Sequence, residues 1–286
     1  MSDVQLVALL DGRLVPPASP LIRVDDAGVV RGDGVFETAL VVDGTPRDLD
    51  EHLERLAVSA AMIDLELPAA QDWRVGIGSV LAGWTGQGTE APDQMVLRLT
   101  ATRGAGDGPT CYVTGGPVNP TILRQRATGV GVLALDRGFA GPEAVKAPWL
   151  LAGAKTLSYA INMAAVRYAV AHGADDAIFV GSDGAVLEAP TATVVVARDE
   201  RTLVTPPTDG ILDGITARRL LRAAAAAGWT VLREPLAVED LRQARGVWLA
   251  SSVRLLVEVR AIDGVARPES GMTADLAELL QMPAGA

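Results

Sequence analysis

The chain has 286 residues, 49% of them apolar and 21% charged, which is a globular composition long enough for one large domain or, as expected here, two modest ones. A formal net charge of -10 argues against nucleic acid as a partner, because affinity there rests on cationic neutralisation of phosphates, so an anionic ligand would need locally placed arginines. The single cysteine, Cys111, excludes an internal disulfide and a cysteine-cluster metal site, and the two histidines, His52 and His172, are too few and too far apart to suggest a metal.

In chain order, residues 4–10 and 13–15 read as two short strands around the turn Asp11-Gly12. No apolar run reaches membrane-spanning length, so no membrane partner is expected. The opening MSDVQLVALLDG is acidic where a secretory leader would be basic, which gives the expectation of a cytoplasmic protein. Val35 to Val42 alternates like a strand, Asp43-Gly44 marks a hairpin turn, and Asp50 is the expected cap of a helix with Leu53, Leu56, Ala60 and Ile63 on its apolar stripe. Arg55 lies off the centre of that stripe, where an arginine is usually solvated, and both histidines fit exposed helix positions. Gly32-Asp33-Gly34 superficially suggests a dinucleotide loop, but it precedes a strand and lacks the third glycine, which rules that reading out.

A second helix is expected over 71–84, strands over 94–103 and 111–114, and a break at Gly115 to Pro120. The expected organisation is an N-terminal α/β domain over 1–117, a linker over 118–127 and a larger C-terminal domain over 128–286. The second half opens with a strand over 129–135, followed by a loop carrying Lys146. Further strands are expected over 175–180, over 185–197 with an interruption at Pro190, over 247–252 and over 255–262, with a terminal helix over 273–280.

Lys155 stands out because the 25 lysine-plus-arginine residues include only two lysines, and an ammonium can lose its proton where a guanidinium cannot. Small residues at 152–154 leave room beside it, and a helical pattern (Leu157, Ile161, Ala164, Ala165, Tyr168, Ala169) is expected to start there and close at Gly173. Apolar neighbours would favour the free amine, the form that attacks a carbonyl, so Lys155 is a candidate nucleophile; the bland alternative is a surface lysine. Lys146 is the rival amine, in a loop beside Glu143 with no helix to fix it. Glu188 follows Val186-Leu187 in an apolar strand, where a carboxylate is costly to bury without a cationic partner. Gly214-Ile215-Thr216 leads into an alanine-rich helix whose free N–H groups could bind phosphate, although a threonine there is as often a plain cap. Ser251-Ser252 marks a strand break where hydroxyls and main chain could face an anion.

Seven collinear motifs carry a resemblance: GDGVFET at 32–38, HLERLAVSA at 52–60, TRG at 102–104, AKTLSYAINMA at 154–164, G-x-V-L-E at 184–188, VTPP at 204–207 and GIT at 214–216. Together they resemble the class IV aminotransferases, fold type IV pyridoxal-phosphate enzymes. The resemblance implies a mixed α/β, two-domain fold with a smaller N-terminal α/β domain and a larger C-terminal pseudo-barrel. It also implies pyridoxal 5'-phosphate as cofactor and a homodimeric assembly. For the site, it implies Lys155 as the Schiff-base lysine, Glu188 as partner of the pyridine nitrogen, and Arg55, Ile215, Thr216 and Ser252, with Ser251 beside it, at the phosphate.

Within that family, D-amino-acid aminotransferases carry Arg-x-His after the TRG motif and a tyrosine where this chain has Phe36. Here Gly108 and Thr110 stand in the clamp positions, and Leu40 replaces the arginine usual in branched-chain enzymes. FETALVVDG and VWLASSVRLLVEV are most similar to the 4-amino-4-deoxychorismate lyases, which make 4-aminobenzoate and pyruvate for folate. Thr38 and Phe36 are then expected at the substrate, with Arg98, Arg103 and Arg254 as candidate carboxylate ligands. Thr193 and Glu258 depart from the family's usual asparagine and proline. An aminotransferase acting on D-alanine or branched-chain substrates, or a non-catalytic binding module, are the other readings.

Overall fold

The computed structural model describes residues 5–85 and 93–283. The chain groups into two compact units: Met1–Pro120 with Ala154–Tyr159, and Thr121–Gly153 with Ala160–Ala286.

The first unit is built on strands β1 (Leu6–Leu9), β2 (Leu14–Val15), β3 (Gly34–Val42), β4 (Thr45–Pro46), β5 (Gln94–Thr102) and β6 (Thr110–Pro117), paired antiparallel in the order β2-β1-β6-β5-β3-β4. Its helices are α1 (Ala27–Arg31), α2 (Leu49–Ala61) and α3 (Ala70–Thr85). Because strand side chains alternate, one face of the sheet carries Val35, Ala39, Val41, Leu97, Leu99 and Val113. These pack into one core with Leu53 and Leu56 of α2 and Trp73 and Ile77 of α3. The opposite face carries Phe36, Thr38, Arg98, Thr100 and Tyr112, aligned by the register Phe36↔Thr100↔Tyr112 and Thr38↔Arg98. Asp43 and Gly44 adopt φ of 48° and 74°, the geometry of a tight two-residue hairpin. Helix α2 begins two residues earlier than expected, after a left-handed Asp48, so Asp50 lies in its first turn and pairs with Arg74 instead of capping it.

The second unit has an eight-stranded sheet of β7 (Val130–Asp136), β8 (Asp176–Val180), β9 (Thr193–Ala197), β10 (Thr202–Thr205), β11 (Thr230–Arg233), β12 (Gly246–Ser251), β13 (Leu255–Ile262) and β14 (Val265–Ala266). The order is β11-β10-β9-β12-β13-β7-β8, with β14 on β13. The central strands β9 (TVVVA) and β12 (GVWLAS) are near-continuous apolar runs with almost every residue buried, as strands covered on both faces must be. Helices α4 (Pro120–Thr128), α5 (Gly141–Lys146), α6 (Ala160–Ala171), α7 (Ile215–Ala226), α8 (Val238–Gln243) and α9 (Thr273–Leu279) accompany the sheet. Among the described residues no helix is long and apolar enough to cross a membrane.

Several local expectations change. Most of the stretch read as a linker is helix α4, and Lys146 is the last residue of α5, not a loop residue. The strand expected from Ala185 shrinks to β9: Pro190 cannot donate to a ladder, so 185–189 form only isolated bridges, including Val180↔Val186 and the tight Ala189↔Ala192. Helix α6 starts at Ala160, five residues after Lys155, and buries Ala165 and Ala169 while Ile161 and Tyr168 stay exposed.

Candidate active site

Lys155 lies in extended chain along the edge of β3, and that edge, not a helix start, fixes it. Its N–H donates to Ser59 Oγ (3.0 Å), its carbonyl accepts from the Phe36 N–H (3.1 Å), and Leu157 N–H donates to Gly34 O (2.8 Å). Thr156 is thereby paired antiparallel with Val35. The glycines of the GDG motif make this approach possible. A Cβ on Gly34 would sit 2.5 Å from the Ala101 carbonyl oxygen and 2.7 Å from Leu157, and Gly32, at φ 69°, faces Ser158.

The register sends the Lys155 side chain to the face away from the core. Nζ lies 4.5 Å from the Phe36 ring centroid and 5.6 Å from that of Tyr159, and the two rings meet edge-to-face at 5.2 Å. Aromatic faces tolerate a cation, so the two rings flank the amine without repelling it. On the same sheet face, Arg98 stacks on Phe36 with Cζ 3.8 Å from the centroid. Desolvation lowers the Arg98 pKa against the opposing pull of Tyr112 and Tyr159. Thr38 stands opposite Arg98, and Thr100, opposite Phe36, is buried with its hydroxyl unpartnered.

Arg55 reaches from helix α2 to Glu37 of β3. It is only 12% exposed and grips Glu37 with Nε to Oε1 at 2.6 Å and Nη2 to Oε2 at 3.0 Å. His52, read from the sequence as exposed, is fully buried because its Nδ1 binds Glu37 Oε2 at 2.7 Å. Burial alone would raise the Glu37 pKa, but the Arg55 charge and the hydrogen bonds from His52 and Arg55 bring it down to about 2. A carboxylate can only accept, so His52 Nδ1 carries a proton.

The other candidate arginines are committed elsewhere. Arg103 forms a fork on Asp33 (2.7 and 3.1 Å) and donates to the Asp64 and Ile63 carbonyls, which ties the TRG turn to the GDG motif. Buried Asp26 accepts from Thr102 (2.9 Å) and Thr110 (2.8 Å), so Thr110 is occupied with the turn itself. Arg254, buried in the second unit, holds Asp176 (2.6 Å) and Thr191 (2.9 Å), which makes it a packing pair instead of a ready carboxylate ligand.

The second unit places its polar groups through the main chain. Glu188 is partly buried; its carboxylate accepts from Leu212 N–H (3.1 Å), while its carbonyl accepts from Phe179 N–H (2.8 Å). Helix α7 is preceded by Gly214, which brings no side chain to cap the first-turn N–H groups, and opens with Ile215 and Thr216, both buried. Glycine is required there: a Cβ would lie 2.1 Å from Thr193 Oγ1. Such a helix start is a ready phosphate site. Ser251 ends β12 and Ser252 follows it, both partly exposed. Glu258 is spent on Ser270 N–H and the Thr273 hydroxyl, each at 2.7 Å.

Sequence reasoning missed Glu37, His52, Ser59, Tyr159 and Thr100. The signal for Glu37 was in the strand period: Val35, Glu37, Ala39 and Val41 share one face, so the carboxylate had to enter the core with a partner.

The family profile described as Amino-transferase class IV matches residues 34–262. A Mycobacterium tuberculosis protein named bifunctional aminodeoxychorismate lyase / D-amino acid transaminase is 40% identical over 96% of this chain and 97% of its own length. A solved structure of a hypothetical aminotransferase from the same species, in a PLP-bound form, superposes with a TM-score of 0.91 at 41% identity, covering 96% of this chain and 97% of the other. The fold IV transaminase CpuTA1 of Curtobacterium pusillum gives a TM-score of 0.90 at 38% identity over 98% of this chain and all of the other.

Proposed function

This chain belongs to the class IV aminotransferase family, whose members depend on pyridoxal phosphate, and from that premise we propose that it is a 4-amino-4-deoxychorismate lyase, releasing pyruvate and forming 4-aminobenzoate for folate synthesis. On this reading Lys155 binds the cofactor's aldehyde and Glu188 faces its ring nitrogen. Arg55, Ile215, Thr216, Ser251 and Ser252 take its phosphate. When bound, pyridoxal phosphate supplies an electron sink for the bond broken next to the substrate's amine.

The chain's own groups then supply the rest. Glu188, oriented by the Leu212 N–H, holds a proton on the ring nitrogen. Lys155 Nζ accepts the proton from the substrate carbon that bears the amine and returns one to the departing enolpyruvyl fragment, which leaves as pyruvate. The remaining ring becomes aromatic. Phe36 and Tyr159 flank the amine, and Thr38 and Arg98, on the same sheet face, meet the substrate, Arg98 through a carboxylate. We place the enzyme in the cytoplasm as a homodimer.

The observation that carries the lyase reading is the mycobacterial relative, matched over nearly the whole of both chains and named for that activity. The same name supports a second reading, D-amino-acid transamination at the same site. Against it as the main activity, the position of the D-amino-acid clamp holds Gly108 and a Thr110 already engaged by Asp26. A branched-chain preference lacks its arginine at Leu40. Purified holoenzyme given 4-amino-4-deoxychorismate is expected to release equal amounts of pyruvate and 4-aminobenzoate. Strong conversion of D-alanine and 2-oxoglutarate to pyruvate and D-glutamate, with no turnover of the chorismate derivative, would overturn the lyase assignment.

A further inference from the structure

Glutamate 37 poses a problem that the reaction does not use. A buried carboxylate beside an arginine assigned to a dianionic phosphate spends part of that arginine's charge, and so weakens the attraction it would otherwise exert. What it supplies instead is geometry. Two parallel N–H···O bonds, Nε to Oε1 at 2.6 Å and Nη2 to Oε2 at 3.0 Å, fix the plane of the Arg55 guanidinium. His52 Nδ1, 2.7 Å from Oε2, fixes the carboxylate in turn. All three groups come from rigid elements, Glu37 from the middle of β3 and His52 and Arg55 from successive residues of one face of α2, three apart. Ser59, one turn further along that helix, receives the Lys155 N–H, so the same helix also aligns the segment that carries the amine.

We propose that Glu37 and His52 are positioning residues that hold Arg55 in its phosphate-binding orientation before the cofactor arrives. The inference rests on the assignment of Arg55 to the phosphate. An arginine on a free stem would lose side-chain entropy when it closed on a phosphate; one already clamped loses little. Contacts that orient a metal's ligands change its affinity by about 10–100-fold when removed, and an effect of that order is expected for this clamp.

The test compares two aldehydes on the apoprotein, pyridoxal 5'-phosphate and pyridoxal, which differ only in the phosphate, each titrated by the absorbance of the lysine-bound form. Wild type is expected to prefer the phosphorylated aldehyde, and Arg55→Leu to lose that preference. Glu37→Gln and His52→Leu are expected to lower the preference by about 10-fold or more while changing pyridoxal affinity by less than about 3-fold. A purely structural role would weaken both aldehydes together. If Arg55→Leu abolishes the preference and Glu37→Gln and His52→Leu keep it, the positioning role is wrong and the Arg55 assignment stands; if Arg55→Leu keeps it, both fall. Should the variants not fold, the wild-type Arg55 Nε–H nuclear magnetic resonance signal decides. Slow hydrogen exchange in the apoprotein is expected, and free exchange that slows only when pyridoxal phosphate binds overturns the proposal.

Discussion

The two units hold their functional groups by different means. In the first, cations are fixed by carboxylates: Arg55 by buried Glu37 and Arg103 by Asp33, while the Lys155 main chain is laid against β3. In the second, the candidate groups are fixed by the main chain: Glu188 by the Leu212 N–H, Ile215 and Thr216 by the start of α7, and Ser251 by the end of β12. The difference bears on pH: Arg55 and His52 hold the Glu37 carboxyl well below the usual carboxylate range, so acid strong enough to protonate it removes the clamp on Arg55 in the first unit.

Replacing Lys155 tests the first unit most severely. Lys155→Ala is expected to lower kcat for the lyase reaction by more than about 1000-fold, since it removes both the attachment point and the base. A variant that keeps a tenth of the activity would show that the amine is dispensable.

Glu37 tests the claim about pH. Its carboxylate pKa falls from 4.5 to about 2 on folding. The native state therefore binds fewer protons, and this group's stabilisation is complete above the unfolded value and lost as pH falls through the native one. The linkage amounts to about 3 kcal/mol. Urea unfolding of wild type and Glu37→Gln should differ by at least about that much at pH 6, with the gap closing from pH 5 to pH 2. A gap that does not depend on pH would dissolve the contrast between the units. Glu188→Gln is expected to act on the chemistry, reducing kcat by about 100-fold through loss of the charge at the ring nitrogen. Equal rates for the two forms would remove Glu188 from the chemistry.

The smallest effect concerns Thr100. Its buried hydroxyl has no partner, so Thr100→Val should raise the midpoint of thermal unfolding slightly, by up to about 1 kcal/mol of stability. A clear loss would reveal a partner for that hydroxyl and sharpen the picture of the face shared with Lys155.

How much was legible in advance follows the same division. The strand expected over 35–42 and the helix expected over 216–227 each lie within one residue of the observed Gly34–Val42 and Ile215–Ala226, and the hairpin at Asp43-Gly44 was readable too, because alternation, turn chemistry and glycine placement are local signals. The surroundings of Lys155 were misread. The apolar pattern after it suggested a helix start, but the segment pairs with β3 more than a hundred residues earlier in the chain, and no local period records a distant strand edge. His52 failed for a related reason: its burial depends on a carboxylate fifteen residues away, visible only once Glu37 is seen to share the core face with Val35 and Ala39. The arginines at 103 and 254 carried no sequence mark separating a ligand from a clamp; Asp33 and Asp176 decide that in three dimensions.

Reduction of the holoenzyme with borohydride, followed by peptide mapping, addresses the central claim most directly, because the chain offers only two lysines, at 146 and 155. The pyridoxyl group is expected on Lys155 alone. Its appearance on Lys146, or on neither lysine in protein saturated with pyridoxal phosphate, would contradict the account.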